Sequence, residues 1–245
     1  PDGNLDFDSG VSCLNRDWLG STDVQDERHP FIIAILKILK SRPIGVQTII
    51  SMPYDQTYWE TRYQTHQTGW DLGAVSPPLK AYADQLTDKT LNILIPGAGN
   101  GYEAEYLVRT GFTDVTVIDL ASSPLEHLRG RVGENPSLRL VQGDFFAHVG
   151  EYDLLLEQTF FCAIDPGLRP AYARKTHELL RPGGKLVGLL FNVDFEHEGP
   201  PFGGSEDEYR ALFAPLFRLD VLETAHNSVK PRAGREVFIR FVKPV

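Results

Sequence analysis

From residue 91 to the end of the chain, short unbroken apolar runs alternate with amphipathic stretches. Leu91–Ile95, Asp114–Asp119, Tyr152–Glu157 and Lys185–Phe191 are brief, branched and nearly free of interior charge. That pattern fits strands of a parallel sheet buried on both faces. Leu138–Gln142 reads as a further strand with its exit loop reaching Phe146. Between these runs the pattern predicts helices. One opens at Ser122 with Ser122 as cap and Pro124 in the first turn, one spans Leu168–Leu180, and one follows Ser205 as cap up to Phe213. Arg181-Pro-Gly-Gly184 ends the second. Phe217–Leu222 and Glu236–Val242 read as two last strands with Gly234 in the turn between them. The alternation, closed by a hairpin, predicts an α/β fold: a doubly wound, Rossmann-like sheet, mostly parallel, with one antiparallel strand near the C-terminus.

Before residue 91 the pattern changes. Tyr58, Trp59, Arg62 and Tyr63 recur at helical spacing ahead of Gly69, Trp70–Gly73 reads as a loop, and Pro77-Pro78 opens another helix. Residues of about 54–79 are read as an aromatic lid, the alternative being that Trp59 and Trp70 only bury area against the domain. Residues 1–51 are rich in Asp, Gly, Ser and Asn at first, then more apolar, and do not match the rest of the chain. Met52 is the one methionine and stands just before the aromatic segment, so it is read as the natural start. Residues 1–51 are then a non-native or poorly ordered extension, and 52–245 the domain.

Composition narrows the class. A chain of 245 residues, 42% hydrophobic and 23% charged, suits one domain with a sizeable core. A net charge of −9 with no basic run argues against a nucleic-acid partner. Cys13 and Cys162 make no disulfide framework, which points to a reducing, cytoplasmic setting. Phe31–Leu36, the longest apolar candidate, is too short to span a membrane and lacks signal-peptide flanks. A monomer that needs no metal is expected.

Candidate chemistry gathers at Leu91–Leu107. Gly97, Gly99 and Gly101 would let the backbone turn sharply after a buried strand and approach a ligand, with a helix behind them. The dinucleotide pattern G-x-G-x-x-G is not met, because Tyr102 holds the third position. Glu103 and Glu105 at the helix start would repel a pyrophosphate but suit a ligand with a cationic end. G-x-G-x-G followed closely by an acid is similar to motif I of the class I methyltransferases, whose cofactor is S-adenosyl-L-methionine. Asp119, with Leu120 beside it, lies twenty residues after Gly99, where an acid accepts both ribose hydroxyls. Asp144 is placed to accept from an adenine amine and Phe145 to lie on its ring; the alternative is a simple turn with two core phenylalanines. Gln158–Pro166 comes after the fourth strand, at the sheet edge where such folds bind ligands. Cys162 is read as a small core residue. The long Asn192–Gly204 loop is a candidate for specificity.

With these residues laid out, the chain resembles the thiopurine S-methyltransferase superfamily, in its halide, thiocyanate and thiol methyltransferase branch. The resemblance runs from about Tyr58 to Val242 and rests on Trp70-Asp-x-Gly, Pro77-Pro-Leu, Pro96-Gly-x-Gly-x-Gly, Phe160-Phe-Cys-Ala-Ile, Arg181-Pro-Gly-Gly and Gly199-Pro-Pro-Phe. It implies in-line transfer of a methyl group to a small soft nucleophile, with S-adenosyl-L-homocysteine as product. It maps Trp59, Trp70, Gly97, Asp119, Asp144 and Phe145 onto cofactor-contacting positions. Plant members carry a third tryptophan where this chain has Tyr63, and tyrosines where it has Gln158 and Phe191. Glu157, Gln158 and Phe191 are therefore read as lining the acceptor site, Glu157 also touching the cofactor. Glu157 and His197 are the candidates for a base should a neutral thiol need one. A thiopurine- or selenium-type acceptor, a non-catalytic binding module and an NAD-dependent oxidoreductase are the competing readings.

Overall fold

The computed structural model describes residues 54–245. Residues 1–51 and Met52, read above as an extension and a natural start, therefore lie outside the described residues. Two short helices come first, α1 (Gln56–Gln64) and α2 (Pro77–Asp84). Strands and helices then alternate: β1 (Asn92–Pro96), α3 (Tyr102–Arg109), β2 (Asp114–Asp119), α4 (Ser122–Val132), β3 (Leu138–Gln142), β4 (Tyr152–Gln158), α5 (Arg169–Leu179), β5 (Leu180–Phe191), α6 (Glu206–Phe213), β6 (Arg218–Thr224) and β7 (Glu236–Val242).

The strands form one seven-stranded sheet in the order β3-β2-β1-β4-β5-β7-β6. β1 to β5 pair in parallel, and β7 runs antiparallel between β5 and β6. The strand order reverses between β1 and β4, and at such a switch point the loops after the two strands diverge and leave a crevice.

Side-chain alternation explains which strands read as continuous apolar runs. Ile93, Ile95, Leu154 and Leu156 enter the core shared with Leu79, Leu107, Leu125 and Leu128, so α2, α3 and α4 cover that face. Leu94, Leu155 and Leu186 enter the opposite core with Tyr172, Phe213 and Phe241, covered by α5 and α6. The outer strands β3 and β6 mix half-buried and exposed positions instead, with none fully buried.

Three boundaries depart from the sequence expectation. Ser122 is not the cap of α4: Ala121 holds that position, without a capping side chain. Helix α5 starts at Arg169, because Pro166–Leu168 forms a separate single turn capped by Asp165. Strand β5 begins at Leu180 rather than Lys185. Leu180 pairs with Tyr152, and the Arg181–Gly184 stretch bulges before pairing resumes at Lys185 opposite Leu154. Gly183, at φ 78°, turns the bulge, and its N–H donates to the Lys243 carbonyl at 2.9 Å.

Candidate functional site

A cavity of about 610 Å³ opens at the carboxyl edge of the parallel strands, under α1. Its floor comes from the strand ends: Gly97 after β1, Asp119 and Leu120 after β2, Asp144 and Phe145 after β3, Thr159 and Phe160 after β4, and Phe191 at the end of β5. Trp59 and Tyr63 of α1 and Trp70 of the next loop close it from above. Phe195, Pro200 and Pro201 of the Asn192–Gly204 loop and Arg232 and Arg235 from the turn before β7 line it as well.

The glycine loop is left-handed at each of its glycines, with φ of 52° at Gly97, 54° at Gly99 and 69° at Gly101. L side chains are disfavoured in that region. A Cβ on Gly97 would lie 2.2 Å from the Phe160 ring, so Gly97 lets the β4 turn pack against the β1 turn. Gly99 faces the lid: a Cβ there would meet the Tyr63 hydroxyl at 3.3 Å and the Trp70 indole at 3.7 Å. Gly101 does not face the cavity. A Cβ on it would strike Leu128 at 2.6 Å, so this glycine serves the packing of α3 on α4.

Asp119 is 9% exposed and holds the crevice together. Its carboxylate accepts from the Ala121 N–H at 2.9 Å and from the Gly99 N–H at 3.3 Å. Burial outweighs these bonds and pushes its acid up to about 6. Asp144 is exposed, and accepts from the Phe146 N–H at 2.8 Å. That bond leaves the other carboxylate oxygen for a ligand. Phe145 is buried, packs on Phe160 at 5.3 Å between centroids, and keeps an edge on the cavity. In the lid, Trp70 meets Trp59 at 5.5 Å and Tyr63 at 5.7 Å, both edge to face.

Glu157 is not brought to the cavity. It is 0% exposed and points beneath the turn after β4. Its carboxylate accepts from the N–H groups of Phe160 and Phe161 at 2.8 and 2.9 Å and from the Tyr172 hydroxyl at 2.7 Å. The resulting turn places Thr159 at φ 62°, a strained value for a β-branched residue. Every oxygen of Glu157 thus serves the scaffold. Gln158 also misses the main cavity and faces a small recess with Trp70, Asp71 and Glu103. His197 is exposed and stacks on Phe195 at 5.3 Å. Cys162 is buried with its thiol donating to the Thr159 carbonyl at 3.2 Å, and burial pushes the thiol up to about 12. Among the described residues, no group of three or more His, Cys, Asp or Glu is arranged to hold a metal ion. No helix among them is long and apolar enough to cross a membrane.

Sequence reasoning missed Arg232 and Arg235. The Arg232 side chain is 9% exposed, donates to the Trp70 carbonyl at 2.6 Å and pairs with Glu236 at 3.3 Å. Its guanidinium stands 5.7 Å from the Phe191 ring centroid, and that of Arg235 stands 5.3 Å from Phe195. The signal lay in strand direction. An antiparallel strand starts at the edge where its parallel neighbours end, so residues just before β7 reach the crevice. The register Phe191 opposite Glu236 shows this.

The donor set fits S-adenosylmethionine better than a dinucleotide. Glu103 and Glu105 occupy the first turn of α3, and Glu103 is buried, accepting from the Ser76 N–H at 2.9 Å. Glu105 is turned to Arg109 and Arg131, while Asp71 and Glu103 line the recess at the helix start, where a pyrophosphate would meet them; aromatic faces and acids suit a cationic ligand instead. A doubly wound sheet with this order, a glycine loop after β1 and an acid ending β2 define a class I S-adenosylmethionine-dependent methyltransferase. The model of the family "Thiopurine S-methyltransferase (TPMT)" matches residues 54–241, and the chain belongs to that family. It is 30% identical over 191 residues to "Probable thiol methyltransferase 2" of Arabidopsis thaliana, covering 76% of this chain and 84% of that one. It is 29% identical over 207 residues to "Thiocyanate methyltransferase 1" of Brassica oleracea, covering 82% and 91%. Among solved structures, a Burkholderia thailandensis 1,6-didemethyltoxoflavin-N1-methyltransferase with bound S-adenosylhomocysteine matches with a TM-score of 0.63. It is 22% identical and covers 78% of this chain and 87% of its own, a likeness of fold.

Proposed function

We propose that this methyltransferase acts on a small, soft, anionic nucleophile: an organic thiolate, hydrosulfide, thiocyanate or a halide. The polarity of the cavity carries the reading. Asp119 and Asp144 lie at the β2–β3 side, while Arg232 and Arg235 lie at the β5–β7 side. Asp119 and Phe191 are three strands apart along the edge, roughly 14 Å at the usual strand spacing of about 4.8 Å. Ribose and adenine would hydrogen-bond at the acid end and an anionic acceptor would be drawn to the arginine end, so that the sulfonium and the acceptor meet between them. The thiol and thiocyanate methyltransferases among the relatives agree with such an acceptor.

In this reading Asp119 accepts from the ribose hydroxyls. Asp144, Phe145 and Leu120 hold the adenine, and Trp59 and Trp70 present their faces to the cationic end. When bound, S-adenosylmethionine supplies an electrophilic methyl group on its sulfonium. The lid of Trp59, Tyr63 and Trp70 would exclude water and so favour an anion that has shed its hydration shell. An acceptor already anionic needs no base. A neutral thiol would lose its proton to solvent water before it is enclosed, and the Arg235 guanidinium, with Arg232 already paired to Glu236, would favour the resulting thiolate. A larger organic thiol, including a thiopurine, is a second reading supported by the size of the cavity and by the apolar walls of Phe146, Ile164 and Leu168. Methyl transfer is measured with hydrosulfide, thiocyanate, iodide and a panel of alkyl and aryl thiols. Turnover with at least one anionic acceptor is expected. Binding of S-adenosylmethionine without turnover of any of them would overturn the proposal.

A further inference from the structure

We propose that Glu60 is the latch of the lid, a positioning residue that sets how long the cofactor and its product are retained. The proposal rests on the reading that the cavity under α1 holds S-adenosylmethionine.

Helix α1 carries Trp59 and Tyr63 over the glycine loop, yet Tyr63 is its one buried residue. Its other aromatic side chains, Tyr58 and Trp59, are only half-buried. The polar grip is concentrated in Glu60. The Glu60 carboxylate accepts from the Ser122 N–H at 2.8 Å, the Ser123 N–H at 3.2 Å, the Ser122 hydroxyl at 3.3 Å and the Ser123 hydroxyl. These donors form the first turn of α4, whose own cap position holds Ala121. A residue from the lid thus caps a helix that has no cap of its own. The positive end of that helix favours the carboxylate over the neutral acid. The Ser123 hydroxyl, aided by the other donors, holds the Glu60 acid below its usual range.

The latch also touches the site through a short covalent and hydrogen-bonded path. Ser122 comes directly after Ala121, whose N–H binds the Asp119 carboxylate, and that carboxylate also binds the Gly99 N–H. Tyr63, three residues after Glu60, stands over Gly99. Lid, ribose acid and glycine loop are tied at one point. A cofactor lying between Trp59 and Asp119 would be covered by α1, and lifting α1 breaks these bonds.

The test uses S-adenosylhomocysteine as probe and the intrinsic tryptophan fluorescence of the full chain. Wild type is titrated first; failure to bind the probe there would sink the cofactor reading itself, not the latch. With binding established, Glu60→Ala is expected to release the probe about tenfold faster in stopped flow, and Glu60→Gln less than that. The loss should appear in KM for S-adenosylmethionine rather than in kcat. Ser122→Ala/Ser123→Ala, which keeps the backbone donors, should speed release to a smaller extent and add little on top of Glu60→Ala. A lower melting temperature with an unchanged release rate would mean that Glu60 only stabilises the fold, and would overturn the proposal. Should Glu60→Ala fail to fold, the serine double variant and Glu60→Gln carry the same test, and wild-type release rates in both would overturn it.

Discussion

Glu157 allows a quantitative test, because its two possible roles predict opposite results. A general base at the cavity would make Glu157→Gln inactive. A carboxylate held under the β4 turn would leave methyl transfer within about tenfold and change stability with pH instead. Burial pushes the Glu157 acid up from 4.5 to about 7, despite the three donors that favour its charged form. The titratable groups beside it, Tyr172 and Cys162, are themselves pushed upward by burial and stay neutral near pH 7. The folded state thus holds the Glu157 proton more tightly than the unfolded chain does. That contribution to stability is fully present below about pH 4.5 and is lost as pH rises through about 7. A rise from 4.5 to about 7 is worth about 3 kcal/mol, at about 1.4 kcal/mol per pH unit.

The glutamine amide keeps the geometry. Its oxygen can accept from the Phe160 and Phe161 N–H groups while its NH₂ donates to the Tyr172 hydroxyl. It does not titrate. Wild type should therefore lose about 2.5 kcal/mol more than Glu157→Gln between pH 5 and pH 8, a differential of about 5–10 °C in melting temperature for a chain of this size. Asp119 titrates in the same direction near pH 6, but it is present in both proteins and cancels in the difference. Calorimetry across that range is the measurement. Parallel pH profiles, or an inactive but well-folded Glu157→Gln, would refute the structural role. Glu157→Ala leaves the two N–H groups and the Tyr172 hydroxyl without their acceptor, and should cost several kcal/mol at any pH.

Gly97→Ala combines a left-handed φ with a Cβ 2.2 Å from the Phe160 ring, and should cost at least about 2 kcal/mol and abolish cofactor binding, read by melting and by titration. Asp119→Asn should weaken S-adenosylhomocysteine binding by about 1–2 kcal/mol in calorimetric titration, since the amide keeps one acceptor but loses the charge assistance. Arg235→Gln should raise KM for an anionic acceptor several-fold at low salt, with less effect at high salt, and leave KM for the cofactor unchanged. An unchanged acceptor KM would place the acceptor elsewhere.

Much of the cavity's lining at the β1–β3 side was legible because it depends on local order. Strands buried on both faces announce themselves as unbroken apolar runs, and each leads at once into the loop that lines the crevice. Asp119, Asp144 and Phe145 follow from that adjacency, as do Trp59 and Trp70 from an aromatic segment with too little apolar sequence to make a core of its own. What stayed hidden depends on pairs far apart in the chain. The cap of α4 comes from Glu60, sixty-two residues upstream of Ser122, and a plausible cap at Ser122 itself concealed the vacancy. Arg232 reaches Trp70 across the sheet edge, a contact that no spacing rule encodes.

Glu157 was the residue whose direction could have been worked out. Leu155 and Glu157 are two apart on β4 and so share a face. A right-handed crossover from β4 to its parallel neighbour β5 puts the intervening helix on one determined side of the sheet. Leu155 packs with Tyr172 of that helix, and Glu157 meets the same tyrosine. Parity and handedness together therefore send Glu157 beneath the sheet edge rather than into the crevice above it. An acid at the end of a strand is a ligand-binding candidate only when the chain bends outward at that residue. Asp119 meets the condition as the last residue of β2, while Glu157 lies one residue short of the end of β4. The same rule predicts that the chemistry of the acceptor end is set by the turn beginning at Thr159 and by the arginines that meet it from β7, not by the acid that holds the turn from below.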